Sequence, residues 1–131
     1  MRPYSPLAVA VLVLAACRNP LASAATGPLT GAWVAGGTPS GAYTLLTLRQ
    51  VGSSVTGSVQ DFGIGPLSRL EDEGGVSGGN VDGLVDLELR YRQRGTVRLV
   101  GKLTSGDALQ ALWIPPLPDT PYSWSLYRQG P

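Results

Sequence analysis

From residue 31 onward, apolar and polar side chains alternate with a period of two, and glycines and prolines interrupt the alternation at short intervals. Successive side chains on a strand leave opposite faces of the pleat, so this rhythm predicts half-buried strands. No window sustains the i, i+3, i+4, i+7 spacing of an amphipathic helix. Eight strands are predicted, over residues 31–35, 43–50, 54–60, 75–81, 84–92, 96–104, 108–114 and 122–128. The expected fold class is all-β.

The pattern also predicts pairings. Val85, Leu87, Leu89 and Tyr91 alternate with Asp86, Glu88, Arg90 and Arg92, and the next strand alternates Val97, Leu99, Gly101 and Leu103 with Arg98, Val100 and Lys102. A three-residue loop at Gln93-Arg94-Gly95 pairs Tyr91 with Val97, Leu89 with Leu99 and Val85 with Leu103. It also sets Asp86 opposite Lys102 and puts Gly95 where a positive φ is wanted. A two-residue loop would turn one apolar set to the wrong face. By the same logic Ser105-Gly106-Asp107 pairs Leu103 with Leu109, Gly101 with Ala111 and Leu99 with Trp113. An even-length loop around Val51-Gly52 brings Leu46 and Leu48 into phase with Val55, Gly57 and Val59. The arginines of the polar face are expected in solvent.

Val55-Thr56-Gly57-Ser58-Val59, Val76-Ser77-Gly78-Gly79 and Leu99-Val100-Gly101-Lys102-Leu103 echo one another, their first residues 21 and 23 apart. That spacing is about two strands and two turns, the period of an up-and-down meander. An open eight-stranded sheet would expose an apolar face and two edges, and closure buries both. A small antiparallel up-and-down β-barrel over residues 31–131 is therefore expected. Such a barrel can be just filled by side chains or can hold one small ligand. Inward Gly57, Gly101 and Ala111 are expected to leave space beside the tryptophans.

Ahead of the barrel, an apolar run from Leu7 to Ala16 follows a basic start at Arg2. As helix it would be about 15 Å long, half of the roughly 30 Å that a bilayer core requires. A charged start, a short apolar stretch and small residues before a cut site form the secretory signal pattern. Residues 18–30 are small, polar and punctuated by proline and glycine, as a flexible tether is. Leu14-Ala15-Ala16-Cys17 resembles a bacterial lipobox. The resemblance implies that residues 1–16 are a lipoprotein signal peptide and that 17–30 are the lipidated Cys17 and its tether. It further implies attachment to membrane lipid in the cell envelope, facing the periplasm or the exterior. The alternative is an ordinary signal peptide cut after Ala22-Ser23-Ala24, which discards Cys17. As the only cysteine, Cys17 has no intramolecular disulfide partner. Two or more acyl chains give stable attachment where one does not.

Without residues 1–17, nine basic and nine acidic residues remain, which leaves no basic footprint for nucleic acid. The chain has no histidine, one cysteine and a single lysine, Lys102, so His-based triads and zinc sites of the usual Cys/His type are excluded. An enzyme is not expected, nor a cofactor or a metal centre. Glu71-Asp72-Glu73 sits in an expected loop before Gly74-Gly75. It reads as a solvated turn, or as a weak calcium site lacking the alternating oxygens of an EF-hand. Glycine pairs at 36–37, 74–75 and 78–79 signal turns and bulges, since no helix follows them to cradle a phosphate. Pro115-Pro116-Leu117-Pro118-Asp119-Thr120-Pro121 is expected to be a stiff polyproline II connector, either a spacer or a rim contact for a partner.

Leu29-Thr30-Gly31-Ala32-Trp33 resembles the Gly-x-Trp opening of the calycin superfamily, the lipocalin, fatty-acid-binding and avidin-like barrels. The resemblance implies that Trp33 packs across one end of the barrel against a basic residue of the last strand. Tyr122, Trp124, Leu126 and Arg128 share one phase, which gives that closing role to Arg128 through cation–π stacking. The avidin-like branch is similar at Val55-Thr56-Gly57-Ser58 and at Gln110-Ala111-Leu112-Trp113-Ile114. Its biotin pattern does not carry over. Ala35-Gly36-Gly37 follows the first strand, Val59 stands where an aromatic belongs, no aspartate follows Trp124, and only Trp113 matches a ligand wall.

Trp33, Trp113, Trp124 and Tyr91 are the candidate ligand contacts, against the alternative that the tryptophans fill the core. Two functions stay open. One is a membrane-anchored envelope lipoprotein whose barrel binds a small apolar ligand. The other is a structural or interaction lipoprotein, such as an inhibitor of an envelope enzyme, with a filled core and working loops at 61–75 and 115–121.

Overall fold

A computed structural model describes residues 27–36, 42–63 and 69–129. Cys17, the apolar run before it and the tether up to residue 26 lie outside the described residues. The described chain is all-β, with no helix, and forms a closed antiparallel up-and-down barrel. Its segments are β1 (Gly31–Gly36), β2 (Tyr43–Val51), β3 (Ser54–Phe62), β4 (Leu70–Val81), β5 (Leu84–Tyr91), β6 (Thr96–Ser105), β7 (Ala108–Ile114), β8 (Tyr122–Ser123) and β9 (Leu126–Arg128). Each of β1 to β7 pairs with the next, and β9 lies between β7 and β1 to close the sheet.

The registers test the pattern in detail. Leu103 pairs with Leu109, Gly101 with Ala111 and Leu99 with Trp113, as the sequence predicts, but Ser105 leaves the expected three-residue loop and pairs with Ala108 past a bulge. Leu48 pairs with Gly57 and Leu46 with Val59 across a two-residue turn at Gly52-Ser53, in the shared phase that an even-length loop predicts. The β5–β6 hairpin differs by two residues: Leu89 pairs with Val97, Leu87 with Leu99 and Val85 with Gly101, while Asp86 faces Val100 rather than Lys102. A shift of two keeps every side chain on its face, so the buried set is unchanged. The loop widens to residues 91–95 because the Asp72 carboxylate draws in the Gln93 and Arg94 amides, at 3.2 and 2.9 Å. Gly95 takes the positive φ expected of it, 92°.

Two elements depart further from the pattern. The segment 70–75, expected as loop, is the first half of β4, so Glu71, Asp72 and Glu73 stand on a strand and point alternately out and in. Gly74 permits this close approach, since a Cβ there would meet the Arg90 carbonyl oxygen at 1.9 Å. The predicted strand 122–128 is split: β8 pairs with Leu112 and Trp113, and β9 pairs with Ala108 and Leu109 and with β1. Between them the Trp124 amide donates to the Ala111 carbonyl at 3.0 Å. Trp124 lies close against Gly36, where a Cβ would come within 2.6 Å of its ring.

The interior is packed by Trp33, Leu46, Leu48, Val55, Val59, Val85, Leu87, Leu89, Leu99, Leu109, Trp113 and Leu126, all buried. Leu29, assigned to the tether by its surroundings in the sequence, is fully buried with them. The expected space beside Gly57 and Gly101 is absent. A Cβ at Gly57 would stand 2.0 Å from the Thr47 carbonyl oxygen, and one at Gly101 2.6 Å from that of Gln110. These glycines let neighbouring strands coil tightly and do not open a cavity.

The two ends of the barrel differ. The end carrying residues 27–30 and the turns at 52–53, 82–83 and 106–107 is sealed. Inward Gln50 and Asn80 plug it: Gln50 Oε1 accepts from the Leu29 amide at 3.1 Å and from Asn80 Nδ2 at 3.0 Å. Beside them the Arg128 guanidinium lies over the Trp33 indole, 4.5 Å from its centroid, and the Trp33 indole N–H donates to the Leu29 carbonyl at 3.0 Å. The opposite end, bounded by Gly36, Tyr43, Phe62, Leu70, residues 91–95 and the 115–121 connector, is the mouth.

Candidate functional site

The mouth holds a buried carboxylate that the sequence reading did not single out. Asp61 follows Val55, Gly57 and Val59 in phase, so β3 aims it inward, where its side chain is 8% exposed. A buried charge is costly unless paired and hydrogen-bonded, and Asp61 is both. Its Oδ1 accepts from the Thr44 hydroxyl and the Tyr91 hydroxyl, each at 2.9 Å. Its Oδ2 meets Arg94 Nη1 at 2.6 Å. The Arg94 guanidinium also lies over the Tyr91 ring, 4.9 Å from its centroid.

Arg94 is held there by a second acid. Asp72, inward on β4, accepts from the backbone N–H groups of Glu73 at 2.9 Å, Gln93 at 3.2 Å and Arg94 at 2.9 Å. Desolvation pushes the Asp72 carboxyl up, but the amides of Arg94, Gln93 and Glu73 and the nearby Arg94 charge outweigh it, and the group sits below its usual value of 3.8. The loop is thus fastened through its backbone while its guanidinium remains partly open to solvent, at 43%. Burial, and next the Asp61 charge and hydrogen bond, push the Tyr91 phenol well above its ordinary value of 10.0.

Aromatic rings form the surrounding wall. Tyr122 stacks on Trp113 with centroids 6.1 Å apart and planes 7° apart, and Trp124 meets both edge-on at 6.0 and 6.2 Å. The Trp113 indole N–H donates to the Trp124 carbonyl at 3.0 Å. Two open clefts flank Arg94: one of about 160 Å³ toward Thr44, Phe62, Glu71 and Trp124, and one of about 370 Å³ toward Val97, Pro115, Thr120 and Tyr122.

Of the candidate contacts, Tyr91, Trp113 and Trp124 gather at the mouth, while Trp33 stands at the sealed end with Arg128. Glu71, Asp72 and Glu73 diverge: Asp72 serves the loop, and Glu73 lies 3.8 Å from Arg92. Asp61, Thr44, Arg94 and Tyr122 complete the site, and the signal for the first was its place on the inward stripe of β3. No protein family, curated protein or solved structure matches this chain. The closed barrel is consistent with the calycin-like architecture that the sequence resembles.

Proposed function

We propose that the protein is a membrane-anchored envelope lipoprotein whose barrel binds a small, largely apolar ligand at its mouth. Trp124 and Tyr122 supply the apolar wall, with Trp113 buried behind them, and Arg94 supplies the polar contact. One observation carries this reading: a guanidinium fixed by Asp61 and Asp72, yet open between two clefts with aromatic walls. Few polar groups placed among apolar ones are what gives a small-molecule site its orientation and specificity. Trp33 has no part in it.

The test is native mass spectrometry of the full chain purified from membranes, with tryptophan fluorescence across a panel of small lipophiles. A co-purifying mass, quenching on addition, and at least about tenfold weaker binding in Arg94→Gln are expected, a loss of about 1.4 kcal/mol. A clean apo mass with fluorescence unchanged across the panel refutes ligand binding. For the anchor, Cys17→Ser releases the protein into the soluble fraction and removes the acyl mass; unchanged membrane association and mass refute lipidation.

The packed interior favours a second reading, a structural or interaction lipoprotein working through its loops. Trp33 and Trp113 are almost wholly buried, which supports a core that is filled rather than hollow. Under that reading the exposed 115–121 connector is the contact surface, and the ligand panel gives no response.

A further inference from the structure

The outer rim of the sealed end carries an apolar patch. Val81 and Leu84 flank the Asp82-Gly83 turn and are 61% and 63% exposed, and Val51 is 40% exposed. Val81 pairs directly with Leu84, and Val51 stands on the same rim with one strand between, since Val51 pairs with Ser54 and Ser54 with Gly79. Basic residues border the patch: Arg49 precedes Val51 by two positions on the same outer face, and Lys102 pairs with Leu84. Both are exposed and make no ion pair among the described residues. The nearby acids are otherwise engaged, Asp86 with Arg98 at 2.6 Å and Asp107 with Arg128 at 3.4 Å; Asp82 alone stands at the tip.

We infer that this rim is a membrane-docking surface, so that the sealed end rests on the bilayer and the mouth points away from it. The inference rests on the lipidation reading proposed for Cys17. The chain enters the barrel at Gly27, packed against Gln50 at the sealed end. Nine residues separate Gly27 from Cys17, ten steps with a reach of at most about 35 Å. The mouth also exposes apolar side chains, Leu117 at 92% and Leu70 at 46%. Seating the mouth on the bilayer would make the tether run the height of the barrel, about 20–25 Å for nine-residue strands tilted by roughly 40°. Seating the rim uses almost none of that reach. Apolar side chains then enter the interface, while Arg49 and Lys102 face anionic headgroups, the pairing of area and charge that gives peripheral surfaces their affinity.

Labelling decides the matter in the full, lipidated chain, where acylation leaves no free thiol. Leu84→Cys and Leu117→Cys are each labelled with an environment-sensitive fluorophore and reconstituted into vesicles of phosphatidylethanolamine and phosphatidylglycerol. Spin-labelled lipid is expected to quench the probe at 84 at least about twofold more than at 117, with iodide in solution showing the reverse. Val81→Cys gives a second probe of the same rim should the first variant misfold. Equal quenching at both positions, or preferential lipid quenching at 117, overturns the docking while an intact acyl mass leaves the anchor standing. An absent acyl mass overturns both.

Discussion

Replacing Arg128 by alanine tests the closure of the sealed end. The guanidinium donates to the Thr30 carbonyl at 2.7 Å, to the Gly106 carbonyl at 3.0 Å and to the Pro28 carbonyl, and lies over Trp33 at 4.5 Å. Hydrogen bonds to a charged group contribute about 1.5–3 kcal/mol each, and a cation–π contact about 0.5–2 kcal/mol. The low ends together come to about 5 kcal/mol, but the side chain is 27% exposed and water takes over some of the freed carbonyls, so only part of that is lost. A net loss of about 3 kcal/mol follows, or about 12–20 °C in Tm for a domain of this size. Arg128→Lys keeps the charge but not the planar fork, and should lose about half as much. Calorimetry on the three proteins measures both values. A double-mutant cycle with Trp33→Leu should isolate a coupling of about 0.5–2 kcal/mol. An alanine variant within about 1 kcal/mol of the native protein, or a lysine variant equal to it, refutes the guanidinium's closing role.

Three further predictions concern the mouth and the sheet. The Tyr91 phenol is held neutral above its ordinary value of 10.0, so its contribution is full below pH 10 and is lost as pH rises further. Burial pushes Tyr122 up as well, so absorbance at 295 nm should show a lagging tyrosine ionisation that Tyr91→Phe reduces without removing. Asp72 sits below its ordinary 3.8, so its hold on the 91–95 loop is present above that pH and fades as pH falls through the lowered value. Amide exchange at Gln93 and Arg94 should accelerate there, and Asp72→Ala should reproduce the effect at neutral pH at a cost of about 1–3 kcal/mol. Gly57→Ala drives a Cβ to 2.0 Å from the Thr47 carbonyl and should destabilise by more than about 2 kcal/mol in urea unfolding; a neutral substitution means the strands can part there.

Period-two patterning carried the class, the closure, the β6–β7 register and the phase of β2 against β3, because one face of every strand is buried and a one-residue slip inverts it. It could not fix the β5–β6 hairpin to better than two residues, since a shift of two leaves that criterion unchanged. The arbiter was Asp72, an acid from another strand. Trp124 broke the last strand for a similar reason, through contact with Gly36 on the neighbouring first strand. The site was half legible: Tyr91 and Trp113 stood on the inward stripe, but polar Asp61 and Thr44 stood on it too. Reading that stripe for polar as well as apolar members finds them, along with Gln50 and Asn80 at the other end. The glycines misled because small size suggests free volume, whereas here it marks where backbones meet.

The strand that closes the barrel comes last in the chain and pairs with the first. Arg128 reaches back 98 residues to Thr30, whereas β1 through β7 form by successive local hairpins. A chain delivered from its N-terminus, by a ribosome or through a pore, can therefore assemble most of its ladder yet stays an open ribbon until residues 126–128 arrive. Its unpaired edges are then β1 and β7, and that interval is when the protein is most available to a chaperone and most exposed to self-association.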